Sequence, residues 1–307
     1  MLNYIIRRLA ISIFLAVMLV AIVFFMLRTV VPGDPVLLLA GERATPEMIE
    51  TIRRHQGLDK PLPTQFYLFL KHAIEGDLGR SIMSKQPVLE MVKQAYPVTI
   101  RLTVFSFAIT MILGILVGMV TAYWHDTWLD NILRVVTVAG ASFPTFWLGL
   151  MFILIFAVWL GVLPVQGNLT FKGLLMPAMT LGLGTAAFLA RLVRGAMLEV
   201  LNSDYIRTAR AKGLMEPMVV LKHALRNALI PIITVAGFEI GGLLGGAVIT
   251  ENIFSLSGMG AMTITAIFNR DYPVIQGTVL FISLTYLFVN IIVDVTYAYV
   301  DPRIRYT

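Results

Sequence analysis

The sequence predicts an all-α integral membrane protein with six transmembrane helices, and three observations carry that prediction. The 307 residues have a mean hydropathy of +0.82, and only 14% of them are charged, against about 25% in soluble domains. Six apolar runs reach the length of roughly 20 residues that a helix needs to cross a bilayer. Basic residues cluster in the short connections on one side of those runs, as the positive-inside rule requires. The net charge of +6 is thereby accounted for by membrane orientation, with no nucleic-acid partner. The absence of cysteine excludes disulfides, Cys-ligated zinc, iron–sulfur clusters and thiol chemistry.

Taken in order, Arg7 and Arg8 precede a first span at Leu9–Leu27. The charge pattern is that of a signal peptide, but the run is long enough to span and no small-x-small cleavage site follows. It reads as an uncleaved transmembrane helix (residues 1–28) with a cytoplasmic N-terminus. An extracytoplasmic segment, 29–97, comes next. VPGDP and LDKPLP are turn signals in it. Thr45–Gln56 reads as a helix with Thr45 as N-cap, Pro46 at the first position and Glu47 in the first turn. Pro61–Glu75 reads as another, with Phe66, Phe69 and Leu70 at helical spacing. A segment of about 70 residues is marginal as a domain of its own.

The core, 98–300, holds the remaining spans: Val98–Tyr123, Ile132–Leu160, Leu174–Leu192, Leu229–Thr250 and Val274–Tyr299. A cytoplasmic loop occupies 199–228, and 301–307 is a cytoplasmic tail. The charges fit this layout. Arg7, Arg8, the Arg191–Arg226 cluster, Arg303 and Arg305 fall on the inside, and the short outside loops hold only Lys172 and Arg270.

Catalytic signatures are absent from the sequence. It has no glycine-rich P-loop, so the chain is not expected to hydrolyse ATP, and no HExxH or GxSxG. His55, His72, His125 and His223 are scattered without metal-ligand spacing, so no metal site is expected. The exception to this plainness is Asn202–Pro231, which carries Arg207, Arg210, Lys212, Lys222 and Arg226 between two apolar spans. Each such charge would cost about 2.5–3.5 kcal/mol at the bilayer centre, so the segment lies outside hydrocarbon. Asp204 is placed to cap a short helix on whose one face Tyr205, Ala209 and Lys212 fall. Gly213 ends that helix. Pro217 starts a second one, and Pro231 marks entry into the next span.

These residues resemble a known family. Arg207–Gly213, RTARAKG, is similar to the coupling-loop signature of ABC importer permeases, Glu-Ala-Ala followed by a Gly six residues after the Glu. Ala209 and Gly213 fit it. Arg207 and Thr208 replace the Glu and the first Ala, and Leu225-Arg226 stands where a Leu-Pro would end the motif. The departures follow a narrower pattern. DYIRTARAKG followed by HALRNALIP resembles the dipeptide, oligopeptide and glutathione branch, as do VPGDP, GLDKPL, GDLGRS, SFP, RDYPVIQG and the tail DPRIRY. SLSGMG at Ser255–Gly260 departs from that branch, where Trp-Pro and Gly-Leu-Gly are usual.

The resemblance implies a non-enzymatic permease subunit that moves di- or oligopeptides, glutathione included, across the bacterial inner membrane by alternating access. Asp204, Tyr205, Arg207, Thr208, Ala209, Arg210, Lys212 and Gly213 would form a coupling helix seated in a cytoplasmic ATPase. The implied partners are a homologous second permease subunit, two ABC ATPase subunits and an extracytoplasmic solute-binding protein. ATP and Mg would be bound by the ATPase partners, with no cofactor in this chain. A nickel-chelate permease of the same branch is an alternative.

Three polar positions within the spans stand out as candidates. Glu239 sits in mid-span in GFEIGGLLGG, and an intramembrane carboxylate faces a cavity or a partner. It either lines the translocation path or makes a hydrogen bond at a helix interface. Asn290 and Asp294 share one face of the last span, where Asp294 is in reach of Arg191 or Arg194. Gly237, Gly241 and Gly245 recur at a spacing that lets helices approach closely, either within the chain or against a second permease. Glu239 and Asp294 would also serve a proton-coupled secondary transporter, whose usual inverted repeats and interrupted helix pairs are not found. An intramembrane enzyme lacks any nucleophile–base or metal set.

Overall fold

The computed structural model describes residues 2–29, 45–55 and 58–300, with the side chains of a few of these, Pro231 and Asp294 among them, left undescribed. The VPGDP turn, Gln56, Gly57 and the DPRIRY tail with Arg303 and Arg305 lie outside the described residues. Within them every regular element is helical, and the only extended pairing is an isolated bridge between Arg80 and Pro87. Among the described residues five helices are long and apolar enough to cross a membrane, or six if a pair bent by 104° counts as one span.

Helix α1 is Leu2–Thr29, α2 is Pro46–His55 and α3 is Leu62–Ile74. Thr45 caps α2 as its sequence position suggests, accepting from the Met48 amide at 3.3 Å. Helix α4, Val88–Tyr123, begins well before the expected Val98. Pro97 removes one hydrogen bond from it without ending it, because the preceding turns already carry the helix past.

The expected third span is broken. Helix α5, Trp128–Ser142, and helix α6, Thr145–Phe152, which continues as π-helical Ile153–Trp159, meet at 104°. The cause is local. Pro144 offers no amide and pushes Phe143 to an extended ψ of 134°. The Phe143 and Trp147 rings stack across the break at 4.6 Å, and Ser142 Oγ donates a hydrogen bond to the Val138 carbonyl at 2.7 Å.

Beyond the break, α7 is Phe171–Leu201 and α8 is Asp204–Ala211. A single turn, α9 (Glu216–Met218), opens into π-helical Val219–Ala224 and then α10, Leu225–Ile253. Pro231 falls inside α10, directly before the candidate span Ile232–Ile253. Helix α11 is Met259–Phe268, and α12 is Tyr272–Val300.

The chain divides into two compact units. One takes Leu2–Thr99 and Ser257–Phe288. Its core is Leu78, Val88, Val92, Ala95, Met259, Ala266, Tyr272, Val274 and Ile275. Phe24 of α1 is fully buried against Phe66 and Phe69 of α3, with the Arg28 guanidinium 4.1 Å above its ring. Buried Asp271 pins the loop before α4. Its carboxylate accepts from Ser81 Oγ at 2.5 Å, the Ile82 amide at 3.0 Å and the Met83 amide at 3.4 Å.

The other unit takes Ile100–Leu256 and Val289 onward. In it α4 and α7 meet face to face through small residues. A Cβ on Gly118 would lie 2.5 Å from Val193 Cβ and 2.7 Å from the Ala190 carbonyl, and one on Gly114 would lie 2.8 Å from Leu189. Thr110 Oγ1 adds a hydrogen bond to the Gly182 carbonyl at 3.1 Å.

Gly118→Val is expected to overpack this crossing and cost about 1–3 kcal/mol. Gly245→Ala, where no atom lies within 4 Å, should leave stability unchanged or slightly raised. Thermal unfolding in detergent checks the pair, and equal midpoints for the two variants would show that the approach is looser than described.

Candidate functional site

Helix α8 is short and polar, yet it is not a loosely held surface helix. Ile206 is fully buried and Ala209 nearly so. Both join a core cluster of Ala122 from α4, Leu189, Val193 and Met197 from α7, Val219 and Ala224 from the π-helical turn, and Ala228 and Ile232 from α10. Ile206 and Ala209, one turn apart, define the inner face. This corrects the face expected from Tyr205, Ala209 and Lys212: Tyr205 and Lys212 are exposed, and Ala209 points inward with Ile206. The signal was available in the sequence, since Ile206 is the one branched aliphatic residue of DYIRTARA.

The start of the helix also differs from expectation. Ser203, extended at φ −75° and ψ 153°, is the N-cap, and its carbonyl accepts from the Ile206 amide at 3.1 Å. Asp204 is therefore the first helical residue and not the cap. Its carboxylate still opposes the positive end of the helix dipole, and it lies 3.5 Å from Arg207 Nη1, with both side chains largely exposed. Thr208 Oγ1 donates to the Asp204 carbonyl at 2.9 Å.

At the other end the expected glycine stop is present. Gly213 adopts φ +76°. Its amide donates to the Arg210 carbonyl at 2.9 Å, and the Leu214 amide reaches the Ala209 carbonyl at 3.4 Å. Those two bonds are a Schellman motif, and Leu214 completes it by packing on the cluster that holds Ala209.

Two further contacts lock α8 to the turn after it and to α10. Arg210 Nη2 and Nε grip the Glu216 carboxylate at 2.6 and 3.2 Å. That hydrogen bond holds the Glu216 carboxyl below the ordinary glutamate range and raises Arg210 in turn. Tyr205 OH accepts from Asn227 Nδ2 at 2.9 Å. Sequence reasoning missed Glu216 and Asn227, because partners across a turn leave no periodic trace. Lys222 and Arg226 are exposed. The result is a helix with an apolar side fixed in the core and a charged side (Arg207, Arg210 and Lys212) facing outward.

The intramembrane candidates are not gathered at α8. Glu239 is half-buried in α10, and Asn290 is half-buried in α12. The side chain of Asp294, expected to reach Arg191 or Arg194, lies outside the described residues, and Arg194 grips Asp130, a residue the sequence did not single out. Gly237 packs within the chain, since a Cβ there would collide with the Val293 side chain. Gly245 has open space, and Gly241 is partly exposed. Among the described residues no group of three or more His, Asp or Glu could hold a metal ion.

Comparison with known proteins sets this geometry in context. Residues 114–306 match the family model of the binding-protein-dependent transport system inner membrane component, and residues 1–103 match that of the N-terminal part of such components. The chain belongs to this family. A glutathione transport system permease protein of Pectobacterium atrosepticum is 44% identical over 306 residues, covering 100% of both chains. Its counterpart from Escherichia coli K12 is 41% identical over the same length and coverage. Among solved structures, an inward-facing MetNI methionine ABC transporter aligns over 69% of this chain and 97% of its own with TM-score 0.61 at 19% identity. An amino acid ABC transporter aligns over 70% and 94% with TM-score 0.51 at 13% identity.

The protein is thus a multi-pass inner-membrane permease with the ABC importer permease fold, a transport component of a binding-protein-dependent system. Family membership sets aside the proton-driven transporter and the intramembrane enzyme.

Two outcomes are expected from the α8 geometry. Gly213→Val forces a branched side chain into the left-handed region at a cost of about 1–2 kcal/mol, although nothing lies within 4 Å of the site. Faster proteolysis at 211–215 would report it, and unchanged cleavage would count against the Schellman stop. The second outcome concerns pH. Glu216 has a lowered folded-state pKa, so its stabilisation is present at neutral pH and is lost as the pH falls through the ordinary glutamate range and the lowered value beneath it. Both partners are partly exposed, so Glu216→Gln should cost no more than about 1 kcal/mol at pH 7. The difference between variant and parent should vanish in acid. A difference that persists unchanged there would assign it to packing and not to the ion pair.

Proposed function

We propose that this permease carries glutathione or short peptides into the cytoplasm, driven by ATP hydrolysis on separate ATPase subunits that hold the ATP and Mg. Full-length similarity to permeases named for glutathione transport supports this substrate class. The nickel-chelate reading stays second, since none of those relatives' names carries it. In this reading both termini and the Ser203–Ala224 segment are cytoplasmic, in keeping with the placement of Arg7, Arg8 and the Arg191–Arg226 cluster. A second permease subunit, two ATPases and an extracytoplasmic solute-binding protein complete the assembly.

The observation that carries the mechanism is the two-sided construction of α8. Ile206 and Ala209 bind it into the core, so a force applied to the exposed Tyr205, Arg207, Thr208 and Lys212 moves α7 and α10 with it. A helix that merely lay on the surface would slip. Closure of the ATPase pair on ATP binding would shift α8 and rock the spans between inward- and outward-open states. The substrate must bind those states with different affinity for the cycle to run. Glu239 would meet the amino group of the substrate from within the path, with Asn290 and Asp294 further along it.

The test uses the assembled transporter in proteoliposomes. Uptake of glutathione or a dipeptide should require ATP, the ATPases and the binding protein. Tyr205→Ala combined with Arg207→Glu should reduce it about tenfold, as expected when interface anchors of these two types are lost, while the amount of inserted permease stays the same. Uptake driven by a proton gradient without any ATPase would overturn the reading. Affinities of the cognate binding protein for glutathione, dipeptides, longer peptides and nickel chelates would decide the substrate.

A further inference from the structure

The transport reading does not use Asp130, a covered carboxylate that four donors surround. Asp130, in the first turn of α5, has no exposed surface. Its carboxylate receives Arg194 Nε at 3.1 Å on Oδ1 and Arg194 Nη2 at 2.8 Å on Oδ2, a two-pronged fork. The Asp126 amide donates to Oδ2 at 3.1 Å, and Arg134 Nε lies 3.4 Å from Oδ1. Thr127 Oγ1 caps the same turn by accepting the Asp130 amide at 3.4 Å. A carboxylate covered by its own partners in this way holds one geometry, because losing either partner leaves its charge uncompensated.

The position of the fork in the chain matters as much as its strength. Arg194 lies about two turns before the end of α7, and only Asn202 and Ser203 separate α7 from α8. Val193 and Met197, on either side of Arg194, pack directly in the cluster with Ile206 and Ala209. The base of α5 is therefore fastened to the same block that holds α8. The far end of α5 is the reverse: at Phe143–Pro144 the helix stops, turns by 104° and continues as α6 without a continuous hydrogen-bond ladder. One end is clamped, and the other is a ready-made hinge.

We infer that the Asp130–Arg194 fork is a coupling link, which makes α5 move with α7 and α8 so that displacement of α8 is delivered to the break at Ser142–Pro144. Asp130 is a positioning residue in this scheme and touches no substrate. The inference rests on the reading of α8 as the ATPase contact.

The experiment measures substrate accumulated per ATP hydrolysed by the whole reconstituted transporter, normalised to assembled complex. Asp130→Asn should leave ATP hydrolysis running while the ratio falls about fivefold or more, the lower end of usual coupling effects. The double variant Asp130→Asn with Arg194→Gln discriminates between roles. If the fork is only structural, removing both charges relieves the unpaired one and restores the ratio; if it transmits motion, the double variant stays uncoupled.

A second measurement covers poor folding of these variants. The chain has no cysteine, so spin labels on Val136→Cys in α5 and Trp159→Cys beyond α6, both exposed, report the hinge directly. In the otherwise unaltered transporter their separation should change on ATP binding, and Arg194→Lys, which keeps the charge and loses the fork, should blunt that change. A wild-type ratio in Asp130→Asn, recovery in the double variant, or a label distance indifferent to ATP would each overturn the link while leaving the transport reading intact. If the unaltered transporter hydrolyses ATP without any coupled uptake, the transport reading itself fails and this inference falls with it.

Discussion

The contact between α4 and α7 at Gly118 is the constraint on which the Ile100–Leu256 unit depends. No side chain other than hydrogen leaves room there for both the Val193 side chain and the Ala190 carbonyl. In a bilayer the hydrophobic effect offers little drive for helices to associate, so close packing of small residues has to supply it. Once the helices touch, Ala122 near the end of α4 is brought to Val193 and Met197 of α7. That platform is what Ile206 and Ala209 settle on, and without it α8 would be a polar helix with two stray apolar residues.

From that platform the architecture of α8 follows by ordinary capping and packing. The Schellman bonds at Gly213 turn the chain through an angle that brings Glu216 within reach of Arg210 and Asn227 within reach of Tyr205. Each of these surface contacts is weak, worth no more than about 1 kcal/mol. Their joint effect is directional: the helix is tied at its start, its inner face and its end, and only its charged side is left free to meet another protein. In this family of binding-protein-dependent systems, a component held in that way can pass on a displacement without absorbing it.

Each of the two units contains a buried aspartate that fixes a reversal of the chain. In one, Asp271 gathers a serine hydroxyl and two backbone amides of the Ser81–Met83 turn. In the other, Asp130 gathers a guanidinium fork and one amide. Buried carboxylates are tolerated only when their oxygens are satisfied, and both sites meet that condition with donors from distant side chains and irregular backbone. Bonds to a carboxylate add direction to the close packing of the core, because each is made at one distance and angle.

The helical membrane class, the helices at Pro46–His55 and Leu62–Ile74, the Thr45 cap and the Gly213 stop were all legible in the sequence, because each is set by local chemistry: apolar length, a hydroxyl or proline at a helix start, a residue free to adopt positive φ. The outward charge of Arg207 and Lys212 was legible for the same reason. What required the tertiary structure was every feature that depends on two distant residues meeting. The break at Phe143–Pro144 is written in a proline, yet Pro97 and Pro177 sit inside unbroken helices, so only surrounding contacts decide which proline ends a helix. The inner face of α8 was signalled by Ile206 alone, and which residues of α4, α7 and α10 it meets was decided by the tertiary structure. Arg194 holds Asp130, sixty-four residues away along the chain, a pairing no local pattern announces. Local propensity is encoded residue by residue, whereas the choice of partner for a buried charge is made by which helices come together.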